Sequence, residues 1–133
     1  MNKTPSPIFA KTYDLQLWLL PTLTKFPKDQ RFRLAARIEN SLFTFHELLL
    51  RPTQTRQRKP VLLEADLELE KLRVYLRLAQ DLRLISFQQY EHVARLVNEA
   101  GKLLGGWLKT QVAIPAESAE RRDESTLGRF LEQ

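Results

Sequence analysis

The sequence predicts an all-α protein folded as one antiparallel, up-down-up-down bundle of four helices. Three observations predict it. Leucine dominates an apolar share of 43%, and β-branched residues are few, which favours helix on helix over a sheet. Apolar residues recur at three-and-four spacing through four long stretches. The 133 residues suffice for one such bundle and leave little room for a second domain.

Residues 1 to 9, with Pro5 and Pro7, hold little that could pack and read as a flexible N-terminal arm. The bundle is expected over residues 10 to 110. Its first helix spans residues 10 to 25, with Leu15, Trp18, Leu19, Thr22 and Phe26 as the buried stripe. Pro21 removes a backbone donor inside this run, so the spacing predicts either a kink near Leu17 or an end at Leu20. Pro27 suits the first position of the second helix, where its missing N–H costs nothing, and Asp29 in the first turn suits the dipole. That helix is expected to run to Leu50 with a stripe of Ala35, Ile38, Leu42, Phe45 and Leu49. Phe32, Ala36 and Phe43 form another stripe beside it.

Residues 51 to 59 (RPTQTRQRK) carry nothing to bury and read as a mobile, basic loop. Pro60 opens a third helix expected over residues 61 to 83. Leu62, Ala65, Leu69, Leu72, Leu76 and Ala79 are its core stripe; Leu67, Val74 and Leu78 make a further one, with Leu63 and Tyr75 close by. One bundle core needs one stripe per helix. The surplus points to a face buried against another chain, with Phe32, Phe43, Leu67, Val74 and Leu78 as candidate contacts. Ser86 with Gln89 is a capping-box pattern that starts the fourth helix. This helix runs to Thr110 on Val93, Val97, Ala100, Leu104 and Trp107. Gly101 and Gly105, four apart, leave backbone bare on one face for close approach of another helix. Residues 111 to 133 read as a disordered tail with a short helical turn near Leu127 to Leu131.

The chain has no cysteine, which excludes disulfides, thiolate metal sites and cysteine nucleophiles and suits a reducing, cytoplasmic setting. No apolar run reaches signal-peptide or membrane-spanning length. The net charge is +5, unevenly spread. Residues 25 to 59 hold Lys25, Lys28, Arg31, Arg33, Arg37, Arg51, Arg56, Arg58 and Lys59, opposed only by Asp29, Glu39 and Glu47. Guanidinium groups bind phosphate oxygens in bidentate fashion, so these nine residues are the candidate contacts for a polyanion. The competing reading is a solvated face that keeps a leucine-rich bundle soluble.

The remaining polar residues suggest structure more than chemistry. Asp66, Glu70, Arg73, Arg77 and Asp81, and Glu91, Arg95, Glu99 and Lys102, read as mixed-charge helix faces. His46 and His92 lack metal-ligand spacing, and the carboxylates match no di-iron pattern. No G-x-S-x-G elbow is present, and Gly101-Lys102 lacks the phosphate-loop context. No catalytic residue, cofactor or metal is expected. Trp18, Trp107, Tyr13, Tyr75 and Tyr90 read as packing residues before base-stacking ones.

Two stretches, KFPKDQRFRLAARIE from Lys25 and QYEHVARLVNEAGKLLGGWLK from Gln89, resemble the accessory variability determinant (Avd) proteins of diversity-generating retroelements. Those belong to a wider four-helix-bundle family that includes proteins encoded within intervening sequences of bacterial 23S ribosomal RNA genes. The resemblance covers residues 13 to 109. Where Avd proteins often carry a glycine-acid pair before Arg-Ile, this chain has Ala35-Ala36, so no role transfers to those two positions. The resemblance implies a homopentameric ring with a basic surface. It also implies association with the retroelement's reverse transcriptase and with RNA or an RNA–DNA hybrid, and a supporting role in mutagenic retrohoming. Two further readings stand beside it: a ribosomal-RNA-associated bundle without a reverse-transcriptase partner, and a protein–protein adaptor that binds no nucleic acid.

Overall fold

The computed structural model describes residues 6–111, and these are helical with no strand among them. The elements are α1 (Ser6–Thr24), the single turn α2 (Lys28–Arg31), α3 (Leu34–Leu50), a 3₁₀ turn at Arg51–Thr53, α4 (Arg58–Asp81) and α5 (Phe87–Thr110). Each of the four long helices has two neighbours: α1 lies against α3 and α5, and α4 lies against α3 and α5. The connections between neighbours are short, so the chain reverses at each one. One end of the bundle therefore carries α2 and the α4–α5 turn. The other carries the α3–α4 connection and the end of α5.

The core is the set of stripes that the helical period marks. Ile38, Leu42, Phe45 and Leu49 of α3, Leu62, Leu69 and Leu72 of α4, and Val93, Val97 and Leu104 of α5 are fully buried. In α1, Leu15 and Leu19 are buried with Ile8 and Leu23, while Trp18 and Thr22 are half-buried. Each fully buried leucine or phenylalanine contributes roughly 1.5–3 kcal/mol relative to exposure. Polar groups inside are satisfied. Thr12 donates its hydroxyl to the Ile8 carbonyl at 2.7 Å. The buried Gln16 amide meets Nδ1 of His46 at 2.9 Å, which ties α1 to α3. Lys11 and Glu99 add an exposed ion pair between α1 and α5 at 3.5 Å, of a kind that contributes little beside the core.

The structure corrects the sequence expectations at four places. Residues 6 to 9, expected in the N-terminal arm, already belong to α1, which starts at Ser6 and buries Ile8; the rest of that arm lies outside the described residues. Helix α1 continues through Pro21, as the first of the two readings of that run has it, and does not end at Leu20. Pro21 and Leu17 are both exposed, so water can reach the carbonyl that loses its donor. The expected second helix is broken. Pro27 is the N-cap of α2, and Arg33 takes a non-helical conformation as the N-cap of α3. Helix α2 buries nothing; it bridges the buried anchors Phe26 and Leu34, and Arg31 Nε donates to the Phe26 carbonyl at 3.2 Å.

The basic loop is also shorter than residues 51 to 59, because Arg58 and Lys59 already form the first turn of α4. Pro60 falls in that same turn, where backbone N–H groups have no helical partner to lose. Finally, α4 ends at Asp81, two residues before the expected Arg83. The capping box at Ser86 is as expected: its hydroxyl accepts from the Gln89 N–H at 3.0 Å, and its N–H donates to the Gln89 side chain at 2.8 Å. The tail beyond residue 111, including the turn expected near Leu127, lies outside the described residues.

The α4–α5 turn contains the one positive φ among the described non-glycine residues, at Arg83 (φ 60°). The Leu84 N–H donates to the Ala79 carbonyl at 2.8 Å and the Arg83 N–H to the Gln80 carbonyl at 2.9 Å. This is a Schellman closure with arginine at the position that glycine usually fills. A left-handed residue with a Cβ costs about 1–2 kcal/mol, partly offset by the greater unfolded-chain entropy of glycine. Arg83→Gly is therefore expected to stabilise the fold by about 0.5–1 kcal/mol, seen as a higher urea midpoint with an unchanged slope.

Candidate nucleic-acid interface

All nine sequence-predicted cations are exposed, and none is within ion-pair distance of a carboxylate among the described residues. The fold divides them. Lys25, Lys28, Arg31, Arg33 and Arg37 cluster at the α2 end. Arg51, Arg56, Arg58 and Lys59 cluster at the opposite end, around the α3–α4 connection. The path along α3 from residue 37 to residue 51 is about 21 Å at 1.5 Å per residue. The nine therefore form two basic poles, not the continuous surface that their closeness in sequence suggested.

Several of these cations sit where a helix is least able to use them. The exposed N–H groups of a helix start give it a partial positive charge. Arg58 and Lys59 occupy the first turn of α4, which has no acidic residue. Arg33 caps α3, whose first turn also lacks an acid, and Arg37 follows one turn on. At Arg33 and at Arg58 and Lys59 the cation and the helix start thus add, and both favour an anionic occupant, whereas Arg51 caps the C-terminal end of α3, where a cation suits the dipole.

At the α2 pole the seam between α3 and α4 opens into a cleft of about 870 Å³. Its walls include Gln30, Phe32, Arg33, Arg37 and Asn40 on one side and Tyr75, Leu78 and Leu82 on the other. No carboxylate lines it. Phe32 stands at the break between α2 and α3 and is 85% exposed. Tyr75 is half-buried and packs on the core, as expected of a packing residue, and also lines the cleft. Sequence reading missed Gln30 and Asn40 as members of this site. The spacing of Arg33, Arg37 and Asn40 along one helix edge was the available signal.

The five apolar residues expected at a contact with another chain are all exposed: Phe32, Phe43, Leu67, Val74 and Leu78. Leu63, Leu67 and Val74 lie on the side of α4 roughly opposite its core stripe, by the helical period. Phe43 faces outward from α3, and Phe32 and Leu78 border the cleft. The glycines of α5 take no part in packing another helix of this chain at Gly105, where an added Cβ would meet open space. At Gly101 a Cβ would strike the tip of Arg73, a residue that pairs with Glu70. His92 lies against Trp18, with ring centroids 5.3 Å apart. Among the described residues no three His, Asp or Glu side chains come together as a metal site, and no helix is long and apolar enough to cross a membrane.

A family model described as bAvd-like matches residues 8–111, which covers all but the first two residues of the four long helices and both basic poles. No curated protein matches the chain.

The misplaced cations of α4 make a measurable trade. Replacing Arg58 and Lys59 together by glutamate is expected to stabilise the fold at low salt by about 0.3–1 kcal/mol per residue. The gain should shrink as salt is added, because dipole interactions at exposed helix ends are screened. Thermal melts of the two proteins at low and high ionic strength check this.

Proposed function

The chain belongs to the bAvd-like family, and from that premise we propose that it is the accessory protein of a diversity-generating retroelement: a scaffold that binds the reverse transcriptase and its RNA or RNA–DNA hybrid, leaving the chemistry to the polymerase. The observation that carries this reading is the pair of basic poles. Nine exposed cations have no carboxylate partner among the described residues, and part of them crowd helix starts where they oppose the fold's own electrostatics. A soluble surface needs mixed charge; it does not need that arrangement. A phosphate-rich partner would make use of it.

The second part of the proposal is self-association as a homopentameric ring. An α-helix that serves a single core is polar on its far side. Helix α4 instead presents Leu63, Leu67 and Val74 there, each at least half exposed. A ring would bury that stripe and repeat each basic pole five times, so that weak phosphate contacts combine into strong binding.

Affinity for a structured RNA and for an RNA–DNA hybrid, measured across a salt series, is expected to fall steeply with ionic strength through counterion release. Replacing Arg51, Arg56 and Arg58 by glutamine should lower the slope by roughly one for each phosphate contact removed. A flat salt dependence would remove phosphate binding as the mechanism. Reverse-transcriptase binding without any RNA binding would favour the adaptor reading. Native mass measurement is expected to give a pentamer, and Leu67→Glu with Val74→Glu is expected to give monomers of unchanged helix content. A wild-type monomer at micromolar concentration would end the ring proposal.

A further inference from the structure

The cleft at the α2 pole differs from the rest of the basic surface in carrying an aromatic platform among its guanidinium groups. Electrostatic binding of a duplex needs only cations, since paired bases hide their faces in the stack. A flat ring that is 85% exposed and stands beside Arg33 and Arg37 meets a different need. Unpaired bases are held by stacking on aromatic side chains while cations follow the backbone, and side-chain amides read the free base edge. Phe32, the two arginines, and the amides of Gln30 and Asn40 supply all three functions in one concavity. Phe32 stands at the break between α2 and α3, off the α3 core stripe.

We propose that this cleft holds an unpaired nucleotide of a single-stranded nucleic-acid segment, with the base stacked on Phe32 and the flanking phosphates on Arg33 and Arg37. The proposal rests on the nucleic-acid reading above and adds a subsite that distinguishes unpaired from paired strands. Charge favours this occupant over a second copy of the chain. The cleft is lined by cations without carboxylates, and another copy brings the same +5 excess.

The test uses the full chain, an unstructured RNA oligonucleotide and an RNA–DNA hybrid of equal length. Phe32→Ala is expected to weaken binding of the unpaired strand by about 5- to 150-fold, the range for loss of one base–aromatic stack, with less than a twofold change for the hybrid. Phe32→Trp should retain the unpaired strand and show indole fluorescence quenched on binding, beyond any signal from wild-type Trp18 and Trp107. Phe32 is exposed, so both variants should melt like the wild type. Equal weakening for both ligands, no weakening for either, or a fall in native mass on Phe32→Ala would overturn the subsite; the last would assign Phe32 to a subunit contact. Wild-type protein that binds the hybrid but not the unpaired strand overturns this inference alone. Wild-type protein that binds neither takes the proposed function with it.

Discussion

Burial of one leucine-rich stripe per helix is the constraint on which the rest of this structure depends. Each stripe can be covered only if its helix meets two others, and the square arrangement of α1, α3, α4 and α5 does this for all four. The energy scale makes the order of causes clear. A single buried leucine contributes more than an exposed ion pair by several-fold, so the core fixes helix placement and the charged residues follow. Once the interior is filled, cations are confined to the outside because an unpaired buried charge is too costly. Those in and beside the connections then end up at the two poles.

The poles show where the sequence departs from what would best stabilise a bundle. A chain selected only for folding would place acids at helix starts and glycine at a left-handed closure. Here α4 opens on Arg58 and Lys59, α3 is capped by Arg33, and the α4–α5 turn closes on Arg83. All four are arginine or lysine, and the first three sit within the reach of helix dipoles of the same sign. Local rules broken repeatedly in one direction point to a requirement outside folding. A phosphate-rich partner would turn the three dipole penalties into attractions, while the backbone cost at Arg83, which is steric, would remain.

The core of three helices was legible from the helical period: every residue assigned to the core stripes of α3, α4 and α5 is buried. The outward stripe of α4 was legible for the same reason, since a second apolar period is as visible as the first. The break at Phe32-Arg33 was not, because residues 28 to 31 are all polar and carry no apolar stripe whose interruption could mark it. The chain leaves the helix there to step between the anchors Phe26 and Leu34, a tertiary demand that no local signal records. The cleft was hidden as well, since its far wall, Tyr75, Leu78 and Leu82, comes from α4 and only the tertiary fold brings it opposite Phe32 and Arg33. The separation of the poles was hidden differently. Residues 37 and 51 look close in a linear reading, and only the rigid helix between them holds their charges apart.

The geometry of poles and flanks bears on how assembly and binding would relate. The apolar stripe of α4 runs along the flank of the bundle, whereas the cations lie at its ends. Copies joined flank to flank by rotation about one axis would bring like poles together. Each pole would then concentrate positive charge, and that repulsion would oppose the apolar contact holding the copies together. A polyanion lying across a pole would relieve the repulsion in proportion to the number of copies it touches. Assembly and polyanion binding would therefore favour one another through a single electrostatic term, with no change of shape in any subunit. By linkage the coupling acts equally in both directions, so the partner that neutralises the poles would also be the partner that holds the ring.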